Sequence, residues 1–227
     1  MSGIVVMGSA GGCGVTTLAC ALALEQAAGA TAPPLLVDLD PHHGGPITLW
    51  GLRAERRLDD LLALGEGITR EHVEHLIHRH PSGVDLMGGC SSLRAAAAWG
   101  EAAAEVLAGH VAARGVWVAD AGRGDTALAR AFTVRAQAVV LVVPRSIEGV
   151  ARAGSLVVDG DATGVTPVAS DLPGGDAIAM RAVRRLLGRE DVVAMPRDGR
   201  AAPDVRAGRA ARGKGLARVV AHLLVPG

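Results

Sequence analysis

The apolar run Ile4-Val5-Val6-Met7 passes directly into Gly8-Ser9-Ala10-Gly11-Gly12-Cys13-Gly14, and Val15-Thr16-Thr17 then opens an Ala- and Leu-rich stretch. A strand, a glycine loop and a helix in that order let successive backbone N–H groups converge, with the positive end of the helix dipole behind them. That is the context an anion cradle demands, and a hydroxyl in the first helical turn, here Thr16, is placed to hold Mg²⁺ beside a phosphate. A glycine loop alone is a weak signal, with a tight turn as its ordinary alternative. The general phosphate-loop pattern also puts a lysine just before that hydroxyl, to reach the β- and γ-phosphates. Here the residue is Val15.

Beyond the loop, short apolar β-branched runs alternate with longer Ala/Leu-rich segments, which predicts a parallel sheet covered by helices. Strands are expected at Gly3–Met7, Leu35–Leu39, Val84–Met87, Val116–Ala119, Ala138–Val143, Val165–Ala169 and Asp191–Ala194. Helices are expected at Thr16–Ala28, Leu58–Leu64, Arg70–Arg79, Ala95–Ala113, Thr126–Arg135, Ile147–Val158, Gly175–Leu187, Ala202–Gly208 and Gly215–Leu224. No internal repeat or long linker interrupts the pattern, so residues 1–227 are expected to form one α/β domain, three layers thick.

Composition narrows the chemistry. Hydrophobic residues make up 49% of the 227, but aromatics only 2%, so the core must be built from Ala, Val and Leu and no aromatic platform exists for stacking nucleic-acid bases. Of 23 Lys and Arg, the only lysine is Lys214, so any chemistry that needs an ammonium group must use it or do without. Formal net charge is zero, yet residues 176–218 hold eleven Arg/Lys against five Asp/Glu, a basic region that could face an anion. Cys13, Cys20 and Cys90 lack metal-ligand spacing and suit a reducing compartment. The N-terminus carries no basic segment ahead of an apolar stretch, and no apolar run approaches the ~18 residues of a membrane span, so a cytoplasmic location is expected.

Two further strand ends carry carboxylates. Leu35-Leu36-Val37-Asp38-Leu39-Asp40-Pro41 closes with two, and Val116-Trp117-Val118-Ala119-Asp120-Ala121-Gly122 with one. Each could also be a polar strand end with an Asp-capped turn.

Taken together, Gly11-Gly12-Cys13-Gly14-Val15-Thr16-Thr17 resembles the deviant Walker A loop of MinD/ParA ATPases, which read Lys-Gly-Gly-x-Gly-Lys-Thr-Thr/Ser. Ala10 stands where that family has its signature lysine and Val15 where it has the Walker lysine. The resemblance implies that Gly11, Gly12, Cys13, Gly14, Val15, Thr16 and Thr17 cradle ATP or ADP. It also implies that Thr16, Asp38 and Asp120 attend Mg²⁺ and that Asp40 orients the attacking water. Met195-Pro196-Arg197-Asp198 is similar to the family's Pro-x-Asp loop, which places Pro196 and Asp198 at the base pocket. Without two positive charges a triphosphate loses contacts worth roughly 1.5–3 kcal/mol each, together with stabilisation of the transition state. Nucleotide binding is therefore expected to be weakened, and hydrolysis weak or absent.

Val142-Val143-Pro144-Arg145-Ser146-Ile147-Glu148-Gly149-Val150-Ala151, the Leu172-Pro173-Gly174-Gly175 turn and the Arg/Gly/Ala-rich C-terminal region look like the CpaE/TadZ-like branch. Such proteins help place Tad/Flp-type pilus or secretion machinery, and a relative is described as septum-site-determining. The resemblance implies a homodimer with a pilus or secretion-system partner and a polar or septal address. The alternative is an active ParA-type ATPase for DNA partitioning or division positioning, and a third reading is an adaptor that never meets nucleotide.

Weaker signals have bland counterparts. His72, His75, His78 and His80 could suggest a metal, but a polar helix face explains them as well. The Arg197–Arg218 region, with Arg200, Arg206, Arg209, Arg212 and Lys214, could hold DNA weakly and without sequence preference, or simply be a solvated surface. Leu216, Val219, Val220, Leu223 and Leu224 form a stripe expected to pack inward rather than on a membrane. Cys13 sits where a helix N-terminus could lower its thiol pKa, though small-residue filling is the commoner role.

Overall fold

A computed structural model of the chain describes residues 3–42, 45–53, 55–159, 164–171, 177–211 and 215–225. Eight strands form one sheet: β1 (Gly3–Gly8), β2 (Leu35–Asp38), β3 (Ile77–Arg79), β4 (Asp85–Met87), β5 (Trp117–Asp120), β6 (Ala138–Pro144), β7 (Val165–Ser170) and β8 (Val193–Met195). Their spatial order is β3-β4-β2-β5-β1-β6-β7-β8, and every pairing is parallel except β3 with β4. The helices are α1 (Val15–Ala27), α2 (Gly45–Leu49), α3 (Arg70–His75), α4 (Leu93–Ala97), α5 (Glu101–Arg114), α6 (Ala127–Arg135), α7 (Ile147–Asp159), α8 (Met180–Leu187), α9 (Ala201–Arg206) and α10 (Leu216–Leu224), with a 3-10 helix over Leu58–Gly67.

The two-residue period of the strands makes the three layers. In β1, Ile4 and Val6 join the α1, α9 and α10 side of the sheet, while Val5 joins the side covered by α5, α6 and the 3-10 helix. In β6, Val140 and Val142 face α1, whereas Leu141 and Val143 meet Val150 and Ala153 of α7 and Val183 of α8. Strands buried on both faces must read as continuous apolar runs, which is why these were visible in the sequence. The few aromatics are spent inside: Trp117 and Phe132 are fully buried and meet edge to face at 5.5 Å. Leu216, Val219, Val220 and Leu223 of α10 are buried in the α1-side core, as the stripe predicted, and no helix among the described residues is long and apolar enough to cross a membrane.

The differences from expectation have local causes. The helix expected over Arg70–Arg79 stops at His75, because Ile77–Arg79 pairs antiparallel with β4 and satisfies that strand's outer edge. The helix expected over Ala95–Ala113 is two, α4 and α5, broken where Trp99 turns into the core and Gly100 takes an extended conformation. Leu58–Leu64 is 3-10 rather than α and runs on to Gly67, with a kink at Gly65. The short α2 was not anticipated; Pro46 at its start fits the first turn of a helix. Residues 177–179 precede α8 without being helical, and the Leu172–Gly175 turn lies outside the described residues.

Phe132→Ala should lower unfolding free energy by roughly 3–5 kcal/mol in guanidinium titrations, while Val134→Ala on the same helix should stay within about 0.5 kcal/mol. Val134 is 86% exposed. Similar losses for both would contradict the packing described.

Candidate functional site

β1 is hydrogen-bonded on both sides, to β5 and β6, and its end is held by Gly8 N–H donating to Gly122 O (2.8 Å) and Ser9 N–H to Val142 O (3.0 Å). From there the loop climbs to α1 through Gly12 and Gly14, at φ of 72° and 102°. Those left-handed angles let the chain wrap around a point, which side chains with a Cβ resist. Among the described residues, none of the amides from Ala10 to Thr17 donates to a backbone carbonyl; the next bond is Leu18 N–H to Gly14 O. Amides without a well-formed backbone acceptor are what an anion cradle would require.

Its side chains turn the other way. Val15 is 8% exposed and Cys13 3%, and both belong to the α1-side core. They nest over Gly8, where a Cβ would lie 2.6 Å from each. Val15 thus brings an isopropyl group inward at the position where a phosphate loop carries an outward ammonium. Cys13 Sγ–H reaches Val142 O at 3.7 Å. Burial pushes its thiol up to about 11, against the opposing pull of the Ala10, Val15 and Cys13 amides, so desolvation outweighs the helix terminus and Cys13 is filling rather than reactive.

The carboxylates converge at the carboxyl ends of adjacent strands. Asp38 of β2 is in register with Asp120 of β5, and they are 4% and 0% exposed. Burial, then the charge of Asp120, hold Asp38 well above the usual carboxylate range. Asp120 is pushed up to about 6 by burial; the Thr16 hydroxyl and the Gly122 N–H, which donates to Oδ1 at 3.2 Å, offset part of this. Its Oδ2 has no well-formed hydrogen bond. Asp40 accepts from the His42 N–H at 3.0 Å and lies 3.2 Å from His42 Nδ1. Glycines make room for these groups: a Cβ at Gly45 would lie 2.1 Å from Asp38 Oδ2, and one at Gly122 2.5 Å from Asp40 Cγ. Sequence reasoning missed Gly122, and Gly89, where a Cβ would lie 2.9 Å from Asp38 Cγ, because only tertiary proximity distinguishes them from ordinary turn glycines.

Thr16, Asp120 and Asp38 suit a hard divalent cation. Mg²⁺ is commonly held by one or two protein oxygens with phosphate and water completing the octahedron, so no all-protein cage is required. Among the described residues, no three His, Cys, Asp or Glu side chains form a metal-binding group. The histidines of the sequence cluster take separate partners: His72 Nδ1 accepts from the Thr69 N–H, His78 contacts Arg56 O and His80 stacks on Trp50.

On the far side of the loop, a cleft of about 210 Å³ is lined by Gly12, Thr17, Ser170, Pro196 and Asp198, among others. Asp198 is largely committed to capping α9, its Oδ1 accepting from the Arg200 and Ala201 N–H groups at 3.0 and 3.3 Å. Ser170 is 2% exposed with its Oγ unpartnered, beside Asp171, which pairs with Arg145 at 2.7 Å; Thr17 and Arg197 also line the cleft. Within the basic C-terminal stretch, Arg209 pairs with Asp204 at 2.9 Å; Arg212 and Lys214 lie outside the described residues.

No protein-family model matches the chain, and no curated protein is significantly similar in sequence. Solved structures do match. A ParA family ATPase from Chlorobium tepidum TLS aligns with TM-score 0.80 over 97% of this chain and 96% of its own, at 15% identity. The fold is that of the ParA and MinD P-loop ATPases. A putative plasmid partition protein from Borrelia burgdorferi B31, bound to AMPPNP, aligns with TM-score 0.74 at 13% identity, over 98% of this chain and 96% of its own. The septum site-determining protein MinD of Pyrococcus horikoshii OT3, complexed with Mg-ADP, aligns at 0.68 and 16%, over 92% of this chain and 84% of its own. Identities this low carry the architecture of the ParA/MinD fold across and leave site chemistry to the residues themselves.

Because Asp120 holds its proton more tightly folded than unfolded, the folded state binds more protons between the ordinary value of 3.8 and about 6. Stability should fall as pH rises through that window and level off above it. Asp120→Asn should thus raise stability at pH 7 by on the order of 2 kcal/mol and leave pH 4 nearly unchanged, as read by thermal melts. An equal gain at both pH values would show that the carboxylate is not the cause.

Proposed function

We propose that this chain is a degenerate MinD/ParA-like ATPase that works as a localisation or assembly factor for a Tad/Flp-type pilus or secretion system, in the manner of CpaE/TadZ-like proteins. The observation that carries it is the inward Val15 side chain. The loop retains free amides, the Thr16 and Thr17 hydroxyls and the Asp38/Asp40/Asp120 group, but presents no ammonium to a triphosphate. Amides and a helix terminus suffice to hold an anion weakly. They stabilise poorly the charge that develops on a transferring phosphoryl group.

In this role Gly11, Gly12, Gly14 and the backbone of Cys13 and Val15 cradle the phosphates, and Thr16 with Asp38 and Asp120 holds Mg²⁺, which neutralises phosphate charge when bound. Thr17, Pro196 and Ser170 meet the base. Asp40 is the residue placed to orient water, and its hydrogen bonds to His42 hold its carboxylate at the strand end. The output is position: a cytoplasmic homodimer, recruiting a secretion or pilus protein at a pole or septum. That the MinD of Aquifex aeolicus is solved in a complex with MinC supports a partner-binding role for this fold.

Titration calorimetry with Mg·ATP and a phosphate-release assay test the reading together. Weak binding with negligible release is expected, and Asp40→Ala should change neither. Turnover on the order of 1 s⁻¹ or faster, abolished by Asp40→Ala, would replace this role with that of an active partition-type ATPase. Val15→Lys should show the trade directly: about tenfold tighter ATP binding alongside roughly 1–3 kcal/mol less stability, since a buried isopropyl group is lost.

A further inference from the structure

A second cleft, of about 430 Å³, opens at the beginning of the glycine loop, lined by Ser9, Arg123, Asp125, Arg152 and Ser155 among others. Both arginines hang from backbone that is bonded to the loop itself. Arg123 follows Gly122, whose carbonyl accepts from Gly8 N–H at 2.8 Å. Arg152 lies on α7, and α7 is pinned to the loop by Ser9 Oγ–H donating to Gly149 O at 2.9 Å. The first turn of α7 is fixed in turn, with Ser146 Oγ accepting from Gly149 N–H at 3.1 Å. Gly149 must be glycine for this contact, because a Cβ there would lie 2.7 Å from Pro144 O. Positions 149, 152, 155 and 156 share one helix face, so the face that touches the loop through Gly149 carries Arg152 one turn further along.

The state of the two charges matters. Arg152 is exposed and makes no hydrogen bond or ion pair with any described residue. Arg123 reaches Asp125 at 3.5 Å, with both side chains more than half exposed, a pairing worth little in water. Two guanidinium groups against one carboxylate leave the cleft positive, beside a loop whose own side chains supply no charge.

We propose that this cleft is an anion subsite, in which Arg152 and Arg123 take the terminal phosphate of a nucleoside triphosphate seated in the loop and supply the positive charge that Ala10 and Val15 lack. The inference rests on the nucleotide reading above and deepens it. Guanidinium groups match phosphate oxygens bidentately, so the subsite favours a triphosphate over a diphosphate.

Calorimetry on the whole chain with Mg·ATPγS, Mg·ADP and inorganic tripolyphosphate tests it, using wild type, Arg152→Gln, Arg123→Gln and Asp125→Asn. Either arginine variant should weaken ATPγS and tripolyphosphate by about tenfold and change ADP by less than about threefold. Removing the competing carboxylate in Asp125→Asn should act in the opposite direction, tightening ATPγS. Unchanged ATPγS affinity in Arg152→Gln, or an equal loss for ADP, overturns the subsite while leaving the nucleotide reading in place. Arginine-dependent binding of tripolyphosphate without binding of either nucleotide ends the nucleotide reading and, with it, the assignment of this cleft to a nucleotide's terminal phosphate. If the wild type binds none of the three probes, both fall.

Discussion

Everything at the functional end of this molecule depends on β1 being held on both sides. Parallel hydrogen bonding to β5 and β6 brings the glycine loop, the Asp120 strand end and the start of α7 to one edge of the sheet. The chain first builds outward from β1 through β2 and only later crosses to β6, so strand order reverses there. At such a reversal the loops diverge and leave a crevice at the carboxyl ends of the strands. The amides at Gly8 and Ser9 lock that geometry by donating to Gly122 and Val142, one neighbour on each side.

The same placement creates an electrostatic cost. Asp38 and Asp120 sit in register on adjacent strands, both buried, and neither forms an ion pair with a cation among the described residues. Burial holds both toward the protonated form, helped at Asp38 by the charge of Asp120 and at Asp120 by that of Asp40, which is how an apolar sheet tolerates a pair of acids. The loop above them resolves a different conflict. Its valine and cysteine fill the space over Gly8 and join a core poor in aromatic residues. Packing has taken the position where a phosphate loop carries its lysine, and the loop keeps its glycines without that cation. Positive groups near it include Arg197 in the cleft lined by Gly12 and Thr17, and Arg123 and Arg152 at the start of the loop.

How much of this was legible in residues alone can be argued element by element. β1, β2, β5, β6 and β7 were visible as apolar runs because strands buried on both faces admit little else. The glycine loop between β1 and α1 and the carboxylates at the ends of β2 and β5 were visible because their place after apolar runs is a property of the chain. The sequence could not show β3, since a three-residue edge strand forms only when β4 offers a partner, nor the break at Trp99, which depends on a pocket elsewhere that accepts the indole. It also left undecided the state of Cys13, where helix dipole and burial push in opposite directions.

By itself, then, the order of residues determined a three-layer α/β architecture with a glycine cradle, and the absence of lysine from that cradle, because periodicity and local composition are properties of the chain. Tertiary structure alone decided that Val15 points inward, that Asp38 and Asp120 share a register, that Asp198 is engaged in capping α9 while the buried Ser170 Oγ has no partner, and that Arg123 and Arg152 line one cleft beside Ser9. Those facts join residues far apart in sequence, and their energies arise from burial and from charge brought close, which exist only once the chain has folded.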